Sequence, residues 1–303
     1  MNNITGIIVA KGKPQYLHES IDSLSKLCNE IIIADIGLEI EINNKHPNII
    51  IQKIDKNIPY VELIREELKQ FAKNDYIFFL DPDETLSLSL IEILINTYLS
   101  YDYIRMPRKN IIFGKWIQNS RWWPDYQIRL FKKNAVEWPK VIHKQPITQG
   151  KGFTLEQKEE FAIIHHNYEN IDEYLEKAIR YAKSEAQEYI DSKHSLSLFE
   201  IINKSISEFI SRFFADKGYK DGMRGFVLAF MQMIYYFFVY FYYWEKKQYF
   251  ETNEKTLMNA SEIFFKKGLF ETNHWIMKKS KESFFPRAKR KVINMLIKKP
   301  VNS

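Results

Sequence analysis

The stretch Tyr76-Ile-Phe-Phe-Leu-Asp-Pro-Asp-Glu84 decides the fold of this chain. Its apolar half predicts a buried strand, and three carboxylates follow that strand at once, around a proline. In an open α/β sheet, ligands bind at the carboxyl ends of the strands, where clustered carboxylates attract a hard divalent cation and, through it, a diphosphate. We therefore expect a metal and nucleotide site at Asp81 and Asp83. A charged turn that merely ends the strand is the alternative.

Apolar, strand-like runs alternate with helical patterns through the first half of the chain. This alternation is typical of right-handed βαβ units, so we predict an α/β fold with a Rossmann-like, mainly parallel sheet over residues 1–168. From about Asn170 the pattern turns helical, which predicts a helical region over residues 169–303. The predicted strands are Ile4–Ala10, Glu30–Ala34, Ile49–Ile54, Tyr76–Leu80, Tyr103–Met106, Ile111–Ile117 and Gln127–Lys132, and the predicted helices are Gln15–Leu27, Val61–Lys73, Ser87–Ser100, Asp172–Ile190, Ser197–Phe214, Asp221–Trp244 and Asn253–Lys267.

Composition narrows the class of protein. The 303 residues are 45% hydrophobic and 27% charged, as in an ordinary folded protein. The single cysteine, Cys28, excludes an internal disulfide framework, and its helical surroundings predict a buried, small apolar residue. The apolar run Ile4–Ala10 is too short for a signal peptide and is typical of a first strand. A reducing cytosol is therefore the expected compartment.

The positive charge of the chain is concentrated at its C-terminal end. Residues 277–303 carry nine lysines and arginines against one glutamate, whereas the whole chain has a net charge of +6, so the rest is slightly acidic. Phenylalanines and aliphatic residues are interleaved with these cations, which favours an anionic bilayer surface as the partner of a basic amphipathic tail. Nucleic acid is disfavoured, because aliphatic residues have no role on a phosphate backbone and the body of the protein is not basic.

Several motifs follow one another in a family-specific order. They are Ile31-Ile-Ile-Ala-Asp35, Phe78-Phe-Leu-Asp-Pro-Asp-Glu84, Trp123-Pro-Asp-Tyr-Gln-Ile-Arg-Leu-Phe131, Val141-Ile-His143, His165-His-Asn-Tyr168 and Lys217-Gly-Tyr-Lys-Asp-Gly222. Together they resemble the family-2 glycosyltransferases of GT-A fold, and among these most the lipopolysaccharide core-biosynthesis glucosyltransferase branch. The resemblance runs from about residue 4 to about residue 246. It implies an inverting, metal-dependent transfer of a hexose from a nucleoside-diphosphate sugar to a lipid-linked or cell-envelope glycan.

This reaction assigns roles to the acidic residues. A departing diphosphate needs a cation on its oxygens, so Asp83 is the predicted ligand of Mg²⁺ or Mn²⁺, and Asp81 is predicted to bond the ribose or a metal-bound water. Inversion needs a base on the face opposite the leaving group. We predict Asp125 as this base, because it follows the stiff segment Trp122-Trp-Pro at about the family's distance from the acidic motif. A turn residue after Pro124 is the alternative.

Three further residues are nucleotide-site candidates. Arg129, predicted on the same strand face as Asp125, is expected to steady phosphate or the acid, with a structural ion pair as the equal alternative. By resemblance Asp35 hydrogen-bonds the nucleotide base, whereas an Asp that caps its own turn is the alternative. Arg65 stands near the place where the family has an asparagine before the acidic motif, and we count it among the candidates.

Two histidines are candidates for a further metal or phosphate contact. His143 lies in a motif that follows the acidic residues, and we include it in the predicted metal site. His165 is the second candidate. For both, a satisfied structural histidine is the alternative, because a lone histidine is more often structural than a ligand.

Residues Gly225–Trp244 form an uncharged stretch of twenty residues, long enough as a helix to cross a hydrocarbon core. Gln232 and five tyrosines lie within it, and tyrosine belongs at membrane interfaces rather than in the centre of a bilayer. We therefore predict a peripheral helix on the cytoplasmic face of the membrane, as the resemblance also implies. Burial in the helical region, a contact in a homo-oligomer, and a membrane span are the alternatives.

Besides the asparagine replaced around Arg65-Glu-Glu67, the chain departs from the family pattern at two places in the nucleotide site. Lys11-Gly-Lys-Pro14 stands where the family has Asn-Glu, and Asp35-Ile-Gly-Leu-Glu-Ile40 stands where it has Asp-Ser-Gly-Ser-Thr-Asp. A second acid and two hydroxyls are missing, which leaves the donor's base and sugar open. The alternative function is a non-catalytic, membrane-bound scaffold or degenerate enzyme that retains the fold. Convergence of Asp81, Asp83 and Asp125 on one pocket distinguishes the enzyme from this scaffold.

Overall fold

A computed structural model describes residues 2–42, 47–54, 61, 64–139, 145–279 and 283–297. The chain divides into two compact units. Unit 1 comprises Met1–Gln118 and Trp122–Glu169, and unit 2 comprises Asn119–Arg121 and Asn170–Ser303. The boundary predicted from the sequence lies between residues 168 and 169.

Unit 1 is built on a mainly parallel sheet, which confirms the predicted α/β fold class. In the described residues this sheet has the strand order β12 (Gly152–Thr154), β6 (Tyr103–Met106), β9 (Gln127–Lys132), β4 (Tyr76–Leu80), β1 (Ile4–Gly12), β2 (Glu30–Leu38) and β3 (Ile49–Lys53). The pairs β1-β2, β2-β3, β1-β4 and β6-β12 are parallel, and β9 runs antiparallel between β4 and β6. In chain order the strands are β1 (Ile4–Gly12), β2 (Glu30–Leu38), β3 (Ile49–Lys53), β4 (Tyr76–Leu80), β5 (Glu84–Leu86), β6 (Tyr103–Met106), β7 (Arg108–Ile112), β8 (Lys115–Trp116), β9 (Gln127–Lys132), β10 (Val136–Glu137), β11 (Ile147–Thr148), β12 (Gly152–Thr154) and β13 (Ile163–Tyr168), and the helices of unit 1 are α1 (Leu17–Leu24), α2 (Arg65–Leu68) and α3 (Leu88–Thr97).

Strand β4 is buried along its whole length. Phe78 belongs to a core cluster with Leu24 of α1 and Leu90 of α3, whereas Phe79, which points to the opposite face, belongs to a cluster with Leu68 of α2. Because apolar side chains cover both faces, the strand needs no polar alternation and reads as a continuous apolar run. Its burial carries the acidic residues that follow to the carboxyl edge of the parallel sheet.

A second sheet, of order β5-β13-β7-β8, brings three polar residues side by side. The register pairs Glu84 of β5 with His165 of β13, and His165 with Asn110 of β7. Directly paired residues on neighbouring strands point to the same face, so these three side chains form one row. Glu84 and Asn110 are fully buried and His165 is 5% exposed.

The predicted strand Ile111–Ile117 is wrong as a single element. A tight turn at Phe113 and Gly114, both of which have positive φ, divides it into the antiparallel pair β7 and β8. Glycine adopts this conformation without strain, and its presence after Phe113 is the signal in the sequence for the turn.

Two predicted helices differ in length from those observed. The prediction Val61–Lys73 holds only over α2 and the 3₁₀ turn Lys69–Phe71, with residues 62–63 outside the described part. A helix this short depends on burial of its apolar side chains rather than on its own propensity. The prediction Asn253–Lys267 is too short, because the helix runs from Glu254 to Lys279 through an internal glycine.

Unit 2 is helical, as predicted. Three of its described helices begin at side-chain caps: Asn170 accepts a hydrogen bond from the N–H of Glu173 (2.9 Å), Ser197 accepts one from the N–H of Glu200 (3.1 Å), and Asn253 accepts one from the N–H of Thr256 (2.9 Å). These caps satisfy backbone donors that have no partner inside the helix. The helices are α4 (Ile171–Asp191), α5 (Leu198–Ile210), α6 (Gly222–Lys246), α7 (Glu254–Lys279) and α8 (Phe284–Ile297).

Helix α6 contains the long uncharged stretch. In the described part of the chain, the segment Gly218–Lys246 alone is long and apolar enough to cross a membrane by length and composition. One side of α6 packs on α4 and α5, where Tyr235 donates to the Glu185 carboxylate (2.7 Å) and the Lys204 ammonium lies 4.3 Å from the ring of Tyr236. Tyr235 and Tyr236 therefore contact charged residues inside unit 2. This agrees, for this side of the helix, with the alternative that the stretch is buried in the helical region.

We predict opposite effects for two glycines in helix interiors. A Cβ at Gly225 in α6 would lie 1.8 Å from the carbonyl oxygen of Gly218, whereas a Cβ at Gly268 in α7 meets nothing within 4 Å. Gly225→Ala should therefore destabilise unit 2 by about 1–3 kcal/mol or more. Gly268→Ala should stabilise it by about 0.5–1 kcal/mol, because alanine loses less backbone entropy in a helix. Denaturant unfolding followed by far-UV circular dichroism measures both, and equal effects would contradict the packing at Gly225.

Candidate active site

The acidic turn after β4 is closed by the side chain of Glu84. The Glu84 Oε2 atom accepts a hydrogen bond from the backbone N–H of Asp81 (3.1 Å), and the N–H of Glu84 donates to the Asp81 carbonyl oxygen (3.0 Å). The Glu84 side chain is fully buried. A buried carboxylate needs compensating charge, since its transfer from water costs several kcal/mol.

Two arginines supply this charge. The Nη2 atom of Arg129, on β9, lies 2.6 Å from Glu84 Oε1 and also pairs with Asp81 Oδ2. The Nη1 atom of Arg108, on β7, lies 3.1 Å from the same Glu84 oxygen. One buried carboxylate therefore joins strands of the seven-stranded sheet and the four-stranded sheet of unit 1.

The Asp81 carboxylate is ionised in this setting. Burial acts to raise its pKa, but the charges of Arg129 and Arg65 outweigh burial and hold the pKa of Asp81 well below its usual range. Arg65 lies 3.6 Å from Asp81 Oδ1, and its guanidinium stands 5.8 Å from the ring centre of Phe79 and 5.7 Å from that of Trp138. The aromatic rings fix a cation beside the first aspartate.

Asp125 lies just ahead of β9 rather than in it. Its φ is +40°, so the expectation that Asp125 and Arg129 share a strand face is wrong. The Asp125 Oδ2 atom accepts from Arg108 Nε (2.8 Å) and Asn110 Nδ2 (2.9 Å), and its Oδ1 atom accepts from Gln127 Nε2 (3.0 Å). Burial acts to raise the pKa of Asp125, yet Arg108 and these hydrogen bonds prevail and lower it, so the group is ionised at neutral pH.

Asp83 faces His165. The Asp83 Oδ2 and His165 Nε2 atoms are 3.5 Å apart, and the other ring nitrogen, Nδ1, lies 2.7 Å from Asn110 Oδ1. The Asn110 amide nitrogen donates to both Asp125 and the Trp122 carbonyl oxygen (2.9 Å each), which orients its oxygen towards the histidine. His165 Nδ1 is therefore the donor of this pair, and in the neutral ring Nε2 presents a lone pair to Asp83.

This pair of groups fits a divalent cation in part. A carboxylate oxygen and an imidazole nitrogen are both suitable donors for Mn²⁺, and metal-binding histidines commonly donate their other N–H to a carbonyl or carboxylate oxygen, as His165 does to Asn110. In the described ranges, no cluster of three or more His, Cys, Asp or Glu side chains is arranged for a metal. A cation here would take its remaining ligands from diphosphate and water, as Mg²⁺ usually does.

The other predicted site residues have varied positions. The Asp35 Oδ1 atom accepts from the N–H groups of Gly37 (2.9 Å) and Leu38 (2.6 Å), so the residue caps its own turn, and its contact with a nucleotide base stays a prediction. Arg129 pairs with Glu84 and Asp81, and its contact with phosphate stays a prediction. His143 lies outside the described residues.

Sequence reasoning missed Arg108 and Asn110 as members of this site. Both lie on β7 at positions i and i+2, and therefore on one face of the strand. Lys109 lies between them, so the sequence shows only three consecutive polar residues and no alternation that marks their common face. Their partners are distant in sequence: Arg108 meets Glu84 and Asp125, and Asn110 meets His165, which only the tertiary structure shows.

Two chains of contacts connect the three aspartates. One leads from Asp83 through His165 and Asn110 to Asp125. The other leads from Asp81 through Arg129, Glu84 and Arg108 to Asp125. The acidic motif after β4 and the residue before β9 thus belong to one network of charges and hydrogen bonds in unit 1.

The chain is similar in sequence to proteins named as glycosyltransferases. It is 23% identical over 253 residues to an uncharacterized glycosyltransferase of Rickettsia felis (75% of this chain, 84% of that protein), and 23% identical over 246 residues to one of Rickettsia conorii (74% and 83%). These relatives support the predicted enzyme class. No family model matches the chain.

Solved structures of S. aureus TarS residues 1–349 resemble the chain weakly. The complex with UDP-GlcNAc has a TM-score of 0.40 at 13% identity, over 77% of this chain and 81% of that chain. The complex with UDP has a TM-score of 0.39 at 13% identity, over 59% of this chain and 64% of that chain.

We predict that Glu84→Gln destabilises unit 1 by about 3–5 kcal/mol, because it leaves Arg108 and Arg129 without their buried counter-charge. The matched control is Glu159→Gln, which breaks an ion pair with Lys109 (2.5 Å) in which the glutamate is 58% exposed. Exposed pairs contribute about 1 kcal/mol or less, so the control should change little. Urea unfolding of both variants measures the difference, and equal destabilisation would contradict the central role of Glu84.

Proposed function

We propose that the protein is an inverting, metal-dependent glycosyltransferase that moves a hexose from a nucleoside-diphosphate sugar to a lipid-linked or cell-envelope glycan. The observation that carries this proposal is the single network that contains Asp81, Asp83 and Asp125. A scaffold that merely retained the fold would not need three acidic side chains connected in one network. The names of the sequence relatives support the same class of activity.

Asp83 and His165 are the residues that would hold the cation, Mg²⁺ or Mn²⁺. A bound cation would supply positive charge to the departing diphosphate and so lower the barrier to breaking the bond between the anomeric carbon and the diphosphate oxygen. Asn110 orients the His165 ring so that Nε2 is available, while Arg129 and Arg65 fix Asp81 beside the nucleotide. In this proposal Asp81 bonds the ribose or a metal-bound water.

Asp125 is the proposed general base. Its Oδ2 atom accepts hydrogen bonds from two donors, Arg108 and Asn110, whereas its Oδ1 atom accepts one, from Gln127. The Asp125 side chain is 25% exposed. Oδ1 is therefore the oxygen better placed to accept the proton of the acceptor hydroxyl. Because its pKa is lowered, Asp125 is a weak base that is present in its ionised form throughout the physiological range.

The acceptor would meet aromatic side chains at this site. The rings of Trp116 and Trp123 lie edge to face with centres 5.1 Å apart, and Trp122 lies 6.5 Å from Tyr168. Aromatic faces of this kind suit the apolar faces of sugars. We place the reaction at the cytoplasmic face of the membrane, in keeping with the basic tail and with a lipid-linked acceptor.

Asp83→Asn should weaken donor binding in the presence of Mn²⁺ by roughly 100-fold or more, because loss of even an indirect ligand contact costs about 10–100-fold in metal affinity. A thermal-shift screen of sugar nucleotides with and without Mn²⁺ identifies the donor, and calorimetric titration then measures affinity. The control is Asp75→Asn, an exposed aspartate just before the amino end of β4. Donor affinity that is unchanged in Asp83→Asn would remove the metal assignment.

Asp125→Asn should lower kcat by about two to four orders of magnitude while donor affinity stays within about twofold, since a general base acts only in the transition state. Glu137→Gln, an exposed carboxylate on β10, is the control and should keep wild-type turnover. Steady-state kinetics measures the chemical step and donor titration measures binding. Thermal unfolding shows whether the variant keeps the stability of the wild type. If Asp125→Asn kept more than about a tenth of wild-type turnover, Asp125 would not be the base.

A further inference from the structure

Helix α8 packs on α7 through polar side chains. Asn273 of α7 donates to Asn294 Oδ1 (3.1 Å) and accepts from Arg290 Nη1 (2.8 Å), and Asn294 Nδ2 donates to the Phe270 carbonyl oxygen (3.0 Å). Asn273 is 1% exposed and Asn294 is 8% exposed. The buried side of α8 is therefore a hydrogen-bonded polar seam, where a helix of a soluble protein ordinarily buries its apolar side.

The apolar side of α8 faces outward. At about 100° per residue, an apolar arc runs through positions 284, 288, 292 and 295 and continues over 285 and 296. This arc lies opposite the polar seam. Its large members are exposed to the following fractions: Phe284 78%, Phe285 83%, Val292 50%, Met295 58% and Leu296 65%.

Cations border this outward arc. Lys289 and Lys291 are exposed and lie on its two sides, and Arg287 is exposed beside Lys291. Residues 283–297 contain no acid. An apolar arc with lysines along both edges matches the boundary between lipid headgroups and acyl chains, where the arc enters the apolar layer and the ammonium groups meet anionic headgroups.

A second copy of the chain fits this surface less well. In a symmetric dimer each patch meets its own copy, so the lysines at the edges of one α8 would lie near those of the other. Like charges at such short range oppose association. Nucleic acid would engage the lysines but leave five large apolar side chains without a partner.

We propose that α8 is a preformed in-plane anchor for an anionic bilayer, which it contacts through Phe284, Phe285, Val292, Met295 and Leu296. The seam with α7 uses hydrogen bonds on the opposite side of the helix, so the contact needs neither unfolding nor release of α8. A helix that is already folded spends less conformational entropy on binding than a disordered tail does. This inference does not depend on the catalytic assignment.

Vesicle co-sedimentation of the full-length protein tests the apolar arc. The variant Val292→Ser/Met295→Ser/Leu296→Ser should bind vesicles that contain phosphatidylglycerol at least tenfold more weakly than wild type. The matched control, Leu88→Ser/Ile95→Ser/Leu99→Ser, removes three exposed apolar side chains from unit 1 and should bind within about twofold of wild type. Equal binding of the α8 variant and wild type would overturn the proposal.

A charge variant tests the flanking cations. Lys289→Glu/Lys291→Glu should lose the preference for phosphatidylglycerol over phosphatidylcholine vesicles and the sensitivity of binding to salt. Lys26→Glu/Lys193→Glu makes the same change in net charge at exposed lysines elsewhere and should keep both properties. Sedimentation equilibrium measures whether two copies of the chain associate in solution. A dimer that the α8 serine variant abolishes, in a protein that binds no vesicles, would assign the arc to self-association and overturn the proposal.

Discussion

The buried carboxylate of Glu84 is the interaction on which the organisation of unit 1 depends. It accepts from the backbone of Asp81 and from the guanidinium groups of Arg108 and Arg129, and so joins the acidic turn to β7 and β9. A single buried charge of this kind is costly, and removal of any partner exposes that cost. Because the acidic turn, β7 and β9 meet at this carboxylate, their relative positions are restrained together.

The network around Glu84 also keeps charged and polar groups in place for a polar reaction in the absence of substrate. Neighbouring arginines hold Asp81 and Asp125 in their ionised forms, and Asn110 sets the tautomer of His165. Fixed charges and dipoles need little reorganisation during reaction, which is the usual source of electrostatic catalysis. Asn110 has a special place in this network, since one amide group bonds both the proposed base and the proposed metal-binding histidine.

In unit 2 two helices combine polar packing with apolar exposure. Tyr235 and Tyr236 of α6 contact charged groups of α4 and α5, and Asn294 of α8 bonds to Asn273 of α7. In both helices large apolar side chains are left at the surface, among them Met223 at 75% and Phe285 at 83% exposure. On α8, where cations border it, exposed apolar area of this extent is typical of a contact surface rather than of a solvated one.

The sequence by itself determined the fold class and most of the elements, because hydrophobic periodicity is a local property; the turn that divides Ile111–Ile117 and the shortness of the helix within Val61–Lys73 were not predicted. The buried run before Asp81 and the α/β alternation followed from it, and the cluster of acids at a strand end was visible as a candidate site. Tertiary structure decided which groups meet: Glu84, His165 and Asn110 form one row only through strand pairing, and Asn294 rather than Leu296 faces α7 only through helix packing. Partners distant along the chain are chosen by the register of strands and the rotation of helices, and these depend on the packing of the whole unit.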